Sequence, residues 1–180
     1  MRILSWTDVN SGALGRDPMP ASATIGVFDG LHLGHQELIQ RIVAKGPELV
    51  PTVFTFRDNP KRHTAVHKSS TALYSLTQKM EALEAKGVQT LVLIDFSSDF
   101  SKLLGEDFIA YLVRFCAVRS FVVGSDFKCG YRLSTDAHGL ERIALKLGAT
   151  AEVVTPLLYD GEPVSSSRIR HAIADGRMDL

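Results

Sequence analysis

The chain is short of cysteine, of net charge and of long apolar runs, and each shortage removes a class of function. Cys116 and Cys129 are its only two cysteines. They form no Cys-x-x-Cys, so the sequence supports neither a zinc site nor a disulfide framework, and a reducing cytoplasm is the expected location. Twenty Lys and Arg cancel twenty Asp and Glu. No global basic field argues for nucleic acid, and any affinity for phosphate has to be local. The opening MRILSWTDVN lacks an apolar signal core, and no uninterrupted apolar run approaches the ~20 residues that cross a bilayer. No internal repeat or low-complexity segment is present. What remains, 45% hydrophobic and 22% charged over 180 residues, is the profile of one soluble globular domain, residues 1–180, with a full core.

Strand and helix signals alternate along it. Residues 1–6 read as an edge strand, followed to residue 23 by a connection that looks like loop. Residues 25–28 are a short apolar run, Asp29-Gly30 a turn, and an amphipathic helix follows until Lys45-Gly46-Pro47 ends it. Residues 50–56 (VPTVFTF) are β-branched and aromatic, a second strand, and residues 57–70 read as loop. Ser75 and Gln78 make a capping box for a helix carrying Leu76, Met80 and Leu83 and closed by Gly87. Residues 88–95 are a buried strand. Residues 105–115 form a helix with Phe108, Leu112 and Phe115 as its core-facing stripe. Residues 119–124 are the next strand and 125–136 a loop, whose Asp136 caps a helix running to Gly148 with Leu140, Ile143, Ala144 and Leu147 inward. A short strand at 151–154 and a turn at Tyr159-Asp160-Gly161-Glu162 lead to VSSSRIR at 164–170. The alternation predicts a Rossmann-like α/β fold, a three-layer sandwich on a mostly parallel sheet, with ligands at the carboxyl ends of the strands.

Two stretches carry chemistry. In TIGVFDGLHLGHQELIQR, residues 24–41, His32 and His35 lie on one side of a helix's first turn, with Gly34 between them. Unpaired N–H groups and the positive end of the helix dipole favour phosphate there, and imidazoles can donate to a phosphoryl oxygen. In VSSSRIR, three serines at a helix start offer hydroxyls and N–H groups, and Arg168 and Arg170 offer forked, permanent charges. Residues two apart on a helix point ~200° apart, so the two arginines do not face one ligand.

Strand, turn, His-x-Gly-His and helix in that order resemble the nucleotidylyltransferase superfamily. With Gly-x-Phe-Asp-Gly-x-His-x-Gly-His near the start, Val-Gly-Ser-Asp-Phe in the middle and Ser-Ser-Ser-x-Ile-Arg near the end, residues 24–180 resemble the FMN adenylyltransferase domain of the prokaryotic FAD synthetases. The resemblance implies the reaction ATP plus FMN to FAD plus pyrophosphate, by direct in-line attack without a covalent intermediate. It implies that Gly26, Val27, Phe28, Asp29 and Gly34, with the catalytic pair His32 and His35, meet the nucleotide phosphates. Ser166, Ser167 and catalytic Arg170 serve the β and γ phosphates, leaving Arg168 outward. Asn59, Pro60 and Asp126 fall on the FMN side. Mg2+ enters with ATP, keeping several waters, and no dedicated protein metal site is expected.

The flavin side departs from the family pattern. Phe-Asp-Pro-His-Pro becomes Phe56-Arg57-Asp58-Asn59-Pro60, and Asp-Phe-x-Phe-Gly becomes Asp126-Phe127-Lys128-Cys129-Gly130. An amide replaces an imidazole, a positive charge arrives and an aromatic is lost. Bifunctional family members continue into a riboflavin kinase module, whereas this sequence stops at Leu180, so a separate flavokinase is the expected source of FMN. Two alternatives stay open: transfer to another small phosphate ester, should Arg57, Lys61 and Arg62 bind an anionic acceptor, or a paralogue that binds flavin or nucleotide without turnover.

Overall fold

Consecutive apolar residues in a strand buried on both faces divide between two layers, and the central strands do so residue by residue. In the computed structural model, which describes residues 1–60, 71–97 and 99–177, Val53, Leu91, Leu93 and Val122 pack into one core. Their neighbours Phe54, Val92, Ile94, Phe121 and Val123 pack into the other. Among the described residues, β1 (Arg2–Ser5), β2 (Ala21–Gly26), β3 (Val50–Phe56), β4 (Thr90–Ile94), β5 (Val118–Gly124) and β8 (Thr150–Val154) form a six-stranded sheet in the order β1-β4-β3-β2-β5-β8. Every pairing in it is parallel.

Helices cover both faces, as parallel strands joined by crossovers require. On one side, α2 (Leu33–Val43) buries Ile39 and Ile42, and α3 (Leu76–Ala85) buries Leu83. On the other lie α1 (Trp6–Asn10), α4 (Gly105–Phe115) and α5 (Ala137–Lys146), through Val9, Phe108, Leu112, Leu140 and Ala144. This is the expected α/β sandwich. From β2 the chain steps to β3 and β4 on one side, then returns through α4 to β5 on the other. The carboxyl ends of β2 and β5 therefore flank a topological switch point, where open α/β sheets bind ligands.

Element boundaries mostly follow the sequence. Residues 50–56 and 105–115 form β3 and α4 at the expected limits, and the Ser75–Gln78 capping box and the Asp136 cap are both made. Three readings need correction. Trp6–Asn10 is helical, where the sequence predicts Trp6 as the end of the strand and the rest as loop, because Ser5 and Asp8 form a second capping box and Trp6 packs on Phe100, Phe108 and Tyr111. Phe115 is 60% exposed, because it closes the helix, its ring lies against Tyr111 and Val113 takes a place in the core. Within residues 125–136, β6 (Lys128–Cys129) pairs antiparallel with β7 (Thr135–Asp136). Residues 61–70 of the expected polar loop lie outside the described residues.

The turn at 159–162 becomes a small hairpin, β9 (Leu158–Tyr159) with β10 (Glu162–Pro163), leading into α6 (Ser166–Ala174).

Candidate active site

Leaving β2, the backbone turns sharply: Phe28, Gly30 and Leu31 all have positive φ. Glycine is needed at 30, where φ is 80° and an added Cβ would stand 2.7 Å from the Leu73 side chain. The turn buries Phe28 completely and sets His32 as the N-cap of α2. His32 Nδ1 accepts the His35 backbone N–H at 3.4 Å, which leaves Nε2 as its N–H donor. The two imidazoles stack with centroids 3.6 Å apart, and His35 also meets Phe28 edge-on at 5.1 Å. His32 caps the His35 N–H, and the Leu33 and Gly34 N–H groups of the same first turn have no helical carbonyl to bond. A Cβ at Gly34 would make ordinary contact, 3.4 Å from the His32 ring, so packing alone does not require glycine there.

Burial disfavours the charged form of both imidazoles. His35 falls from 6.5 to about 3, first by desolvation and then by the charges of His32 and Lys79. His32 is lowered by desolvation, with Asp126 and Asp29 pulling the other way.

Asp29 draws the second motif to the first. Its carboxylate accepts the Leu73 and Tyr74 backbone N–H groups at 2.8 and 3.2 Å and pairs with Arg170, whose Nε also donates to the Thr71 carbonyl at 2.8 Å. The Asp29 carbonyl accepts from Ser166 Oγ at 2.8 Å. Hence the two stretches expected to meet phosphate, more than 130 residues apart in sequence, meet at one aspartate, and two helix N-termini are bound to the same turn. The Asp29 carboxylate itself, with its side chain 7% exposed, is occupied by these partners.

Helix α6 starts at Ser166, with Ser165 as the N-cap accepting the Arg168 N–H at 3.2 Å. Ser167 is exposed beside it. The arginines diverge as the helical period requires, but Arg168 does not simply face solvent. It donates to the Tyr159 and Glu162 carbonyls at 2.7 and 3.0 Å and pairs with Glu162, stitching the β9–β10 hairpin to α6.

The flavin-side candidates sit on the same edge of the sheet. Asn59 and Pro60 follow β3 on one side of β2, and Asp126 follows β5 on the other. Arg57 is engaged by Asp95 at 2.8 Å. Cys129 is a packing residue whose thiol burial pushes up to about 12. Phe96, 37% exposed, meets Phe56 and Phe100 edge-on at the ends of β3 and β4. Sequence reasoning missed that cluster, and it missed Lys79, a buried cation that bonds the Val27 and Phe56 carbonyls at 2.8 and 3.3 Å. An aromatic at a strand end was a visible signal for the first; nothing local marked the second.

A family model described as FAD synthetase matches residues 15–168. The chain belongs to the FAD synthetase family. As a member of it, the chain is 30% identical over 160 residues to the bifunctional riboflavin kinase/FMN adenylyltransferases of Haemophilus influenzae and Escherichia coli K12. Those matches cover 87% of this FAD synthetase family chain and 52% and 51% of the relatives, so it spans about half the length of the curated relatives it matches. A solved structure described as a macrolide-efflux protein from Streptococcus pneumoniae superposes with a TM-score of 0.84 and 27% identity, over 98% of this chain and 57% of that one. The pantothenate synthetase of Thermus thermophilus shares the fold alone, at a TM-score of 0.60 and 15% identity over 99% and 70% of the two chains. Among the described residues no helix of this family member is long and apolar enough to cross a membrane.

Proposed function

We propose that the chain is an FMN adenylyltransferase. A phosphate oxygen of FMN attacks the α phosphorus of ATP, the new P–O bond forms as the bond to the β,γ portion breaks, and pyrophosphate leaves with the electron pair. The protein needs no nucleophile; positioning and charge stabilisation carry such a transfer. The observation that supports this reading most is the Asp29 clamp, which brings His32, His35, Ser166 and Arg170 to one turn between two helix N-termini. The N–H groups of Leu33 and Gly34 and the His32 Nε2–H are assigned to oxygens around the α phosphorus. The Ser166 and Ser167 N–H groups and Arg170 are assigned to the departing pyrophosphate. The backbone of 26–29, rather than the Asp29 carboxylate, lines the nucleotide.

On the acceptor side, Asn59, Pro60 and Asp126 flank the flavin, whose ring packs against the Phe96 edge of the aromatic cluster. Engagement of Arg57 by Asp95 favours FMN over a second anionic acceptor held by that arginine. Among the described residues no group of three His, Cys, Asp or Glu side chains is placed to hold a metal. Magnesium is assigned to the ATP phosphates and water because it keeps most of its own hydration, and no step is routed through it. The site is assigned to cytoplasmic FAD biosynthesis, with a flavokinase activity supplying FMN.

Incubating the chain with ATP, magnesium and FMN, then separating flavins by chromatography and assaying pyrophosphate, tests the reading. FAD and pyrophosphate appear in equal amounts if it is right. Turnover with CTP or a different phosphate ester but not with FMN moves the function to another acceptor, and binding without turnover makes the chain a sensor.

A further inference from the structure

Lys79 is costly to keep where it is. It is 6% exposed, and as the fourth residue of α3 it places a cation near the positive end of that helix's dipole. Taking an ammonium out of water is unfavourable unless good partners replace the solvent. Desolvation lowers its pKa, with Asp29 and Asp58 favouring the charged form.

Its partners are the two carbonyls where the substrate loops begin. Val27 lies just past β2, at the start of the turn that sets His32 and His35; Phe56 is the last residue of β3, immediately before the segment with Asn59 and Pro60. Nζ bonds both, at 2.8 and 3.3 Å. The Val27 carbonyl has a second donor, Thr55 Oγ1, at 3.0 Å. The parallel ladder of β2 with β3 ends at Gly26 and Thr55; beyond it Thr55 reaches back to Val27, and the lysine alone of the two donors also holds the Phe56 carbonyl, joining both exits.

We propose that Lys79 is a positioning residue for nucleotidyl transfer, its buried ammonium tying the loop that receives ATP to the loop that receives FMN and so fixing the distance between attacking oxygen and α phosphorus. This rests on the function proposed above. Each loop keeps its own contacts to its own substrate, so Lys79 governs the relation between the substrates more than the affinity for either. A misplacement of about 1 Å in such a pair can cost ~10²-fold in rate.

The test measures binary affinities for ATP and for FMN by calorimetry, and FAD formation in a single turnover, for wild type, Lys79→Met and Lys79→Arg. Lys79→Met should keep each affinity within about threefold and lose ~10²-fold in single-turnover rate, with Lys79→Arg between it and wild type. A Lys79→Met rate within about threefold of wild type, or a rate loss matched by parallel losses of both affinities, overturns the proposal. Should Lys79→Met not fold, Lys79→Arg decides: a rate down about tenfold at retained affinities supports the positioning role and an unchanged rate ends it. A wild-type chain that makes no FAD overturns the functional reading and this proposal together; a wild-type chain that makes FAD only as fast as Lys79→Met overturns this one alone.

Discussion

At the scale of single residues, the proposed transfer asks the histidine pair for hydrogen bonds rather than charge, and burial, which lowers both imidazoles, favours that. Replacing either His32 or His35 with alanine should lower the rate of FAD formation by about 10²-fold, the usual loss for one preorganised donor. Near wild-type rates in both would reduce the pair to a helix cap. His35 also makes a claim about pH. Its folded pKa is about 3 against an ordinary 6.5, so between those values the unfolded chain holds a proton that the folded chain lacks. The stability it contributes is fully present above pH 6.5 and is lost as pH falls toward 3. By linkage, wild type should lose about 3 kcal/mol relative to His35→Gln between pH 7 and pH 4. Denaturant titrations of both proteins at the two pH values measure the difference, and parallel losses would mean that His35 is not buried as described.

At the scale of elements, α6 presents its two arginines to different neighbours. Arg170→Ala removes the partner of Asp29 and the proposed phosphate donor together, and should cost ATP affinity, turnover or both by roughly one to two orders of magnitude. Arg170→Lys should recover only part, lacking the fork. Arg168→Ala should leave ATP binding nearly unchanged while loosening the β9–β10 hairpin, at a stability cost of about 1 kcal/mol. Calorimetric ATP titrations beside thermal melts separate the two, and a larger ATP loss for Arg168→Ala would reverse the assignment. This divergence was legible from the 3.6-residue period, as α2's entry was from its turn residues, because both signals are local. Helix α1 was not, since five residues that bury only Val9 are too short to show a helical period. Its one signal, Ser5 with Asp8, lies against a strand end. The Lys79 contacts were not either: its partners lie 52 and 23 residues away, and α3's pattern does not mark that lysine as turned inward.

At the scale of the whole molecule, Asp29 joins the β2–α2 turn to the last described helix, so nucleotide binding and global stability should be coupled through it. ATP at a hundred times its Kd adds about 2.7 kcal/mol to folding, which for a chain of this size raises Tm by roughly 5 to 10 °C. Asp29→Asn keeps an acceptor for the Leu73 and Tyr74 amides but discharges the pair with Arg170. It should cost about 1.5 to 3 kcal/mol without ligand. It should also bind ATP about tenfold more weakly, so that the same ATP concentration restores only about 1.4 kcal/mol, half the wild-type gain. Leu112→Ala is the control, because Leu112 lies in the core on the opposite face of the sheet from α2. It should cost about 2 to 5 kcal/mol while leaving the ATP-induced gain whole. Thermal melts of the three proteins with and without ATP give the comparison. If Asp29→Asn keeps the full gain, as Leu112→Ala should, the aspartate braces the fold without shaping the nucleotide site, and the two N-termini reach their ligand independently of it.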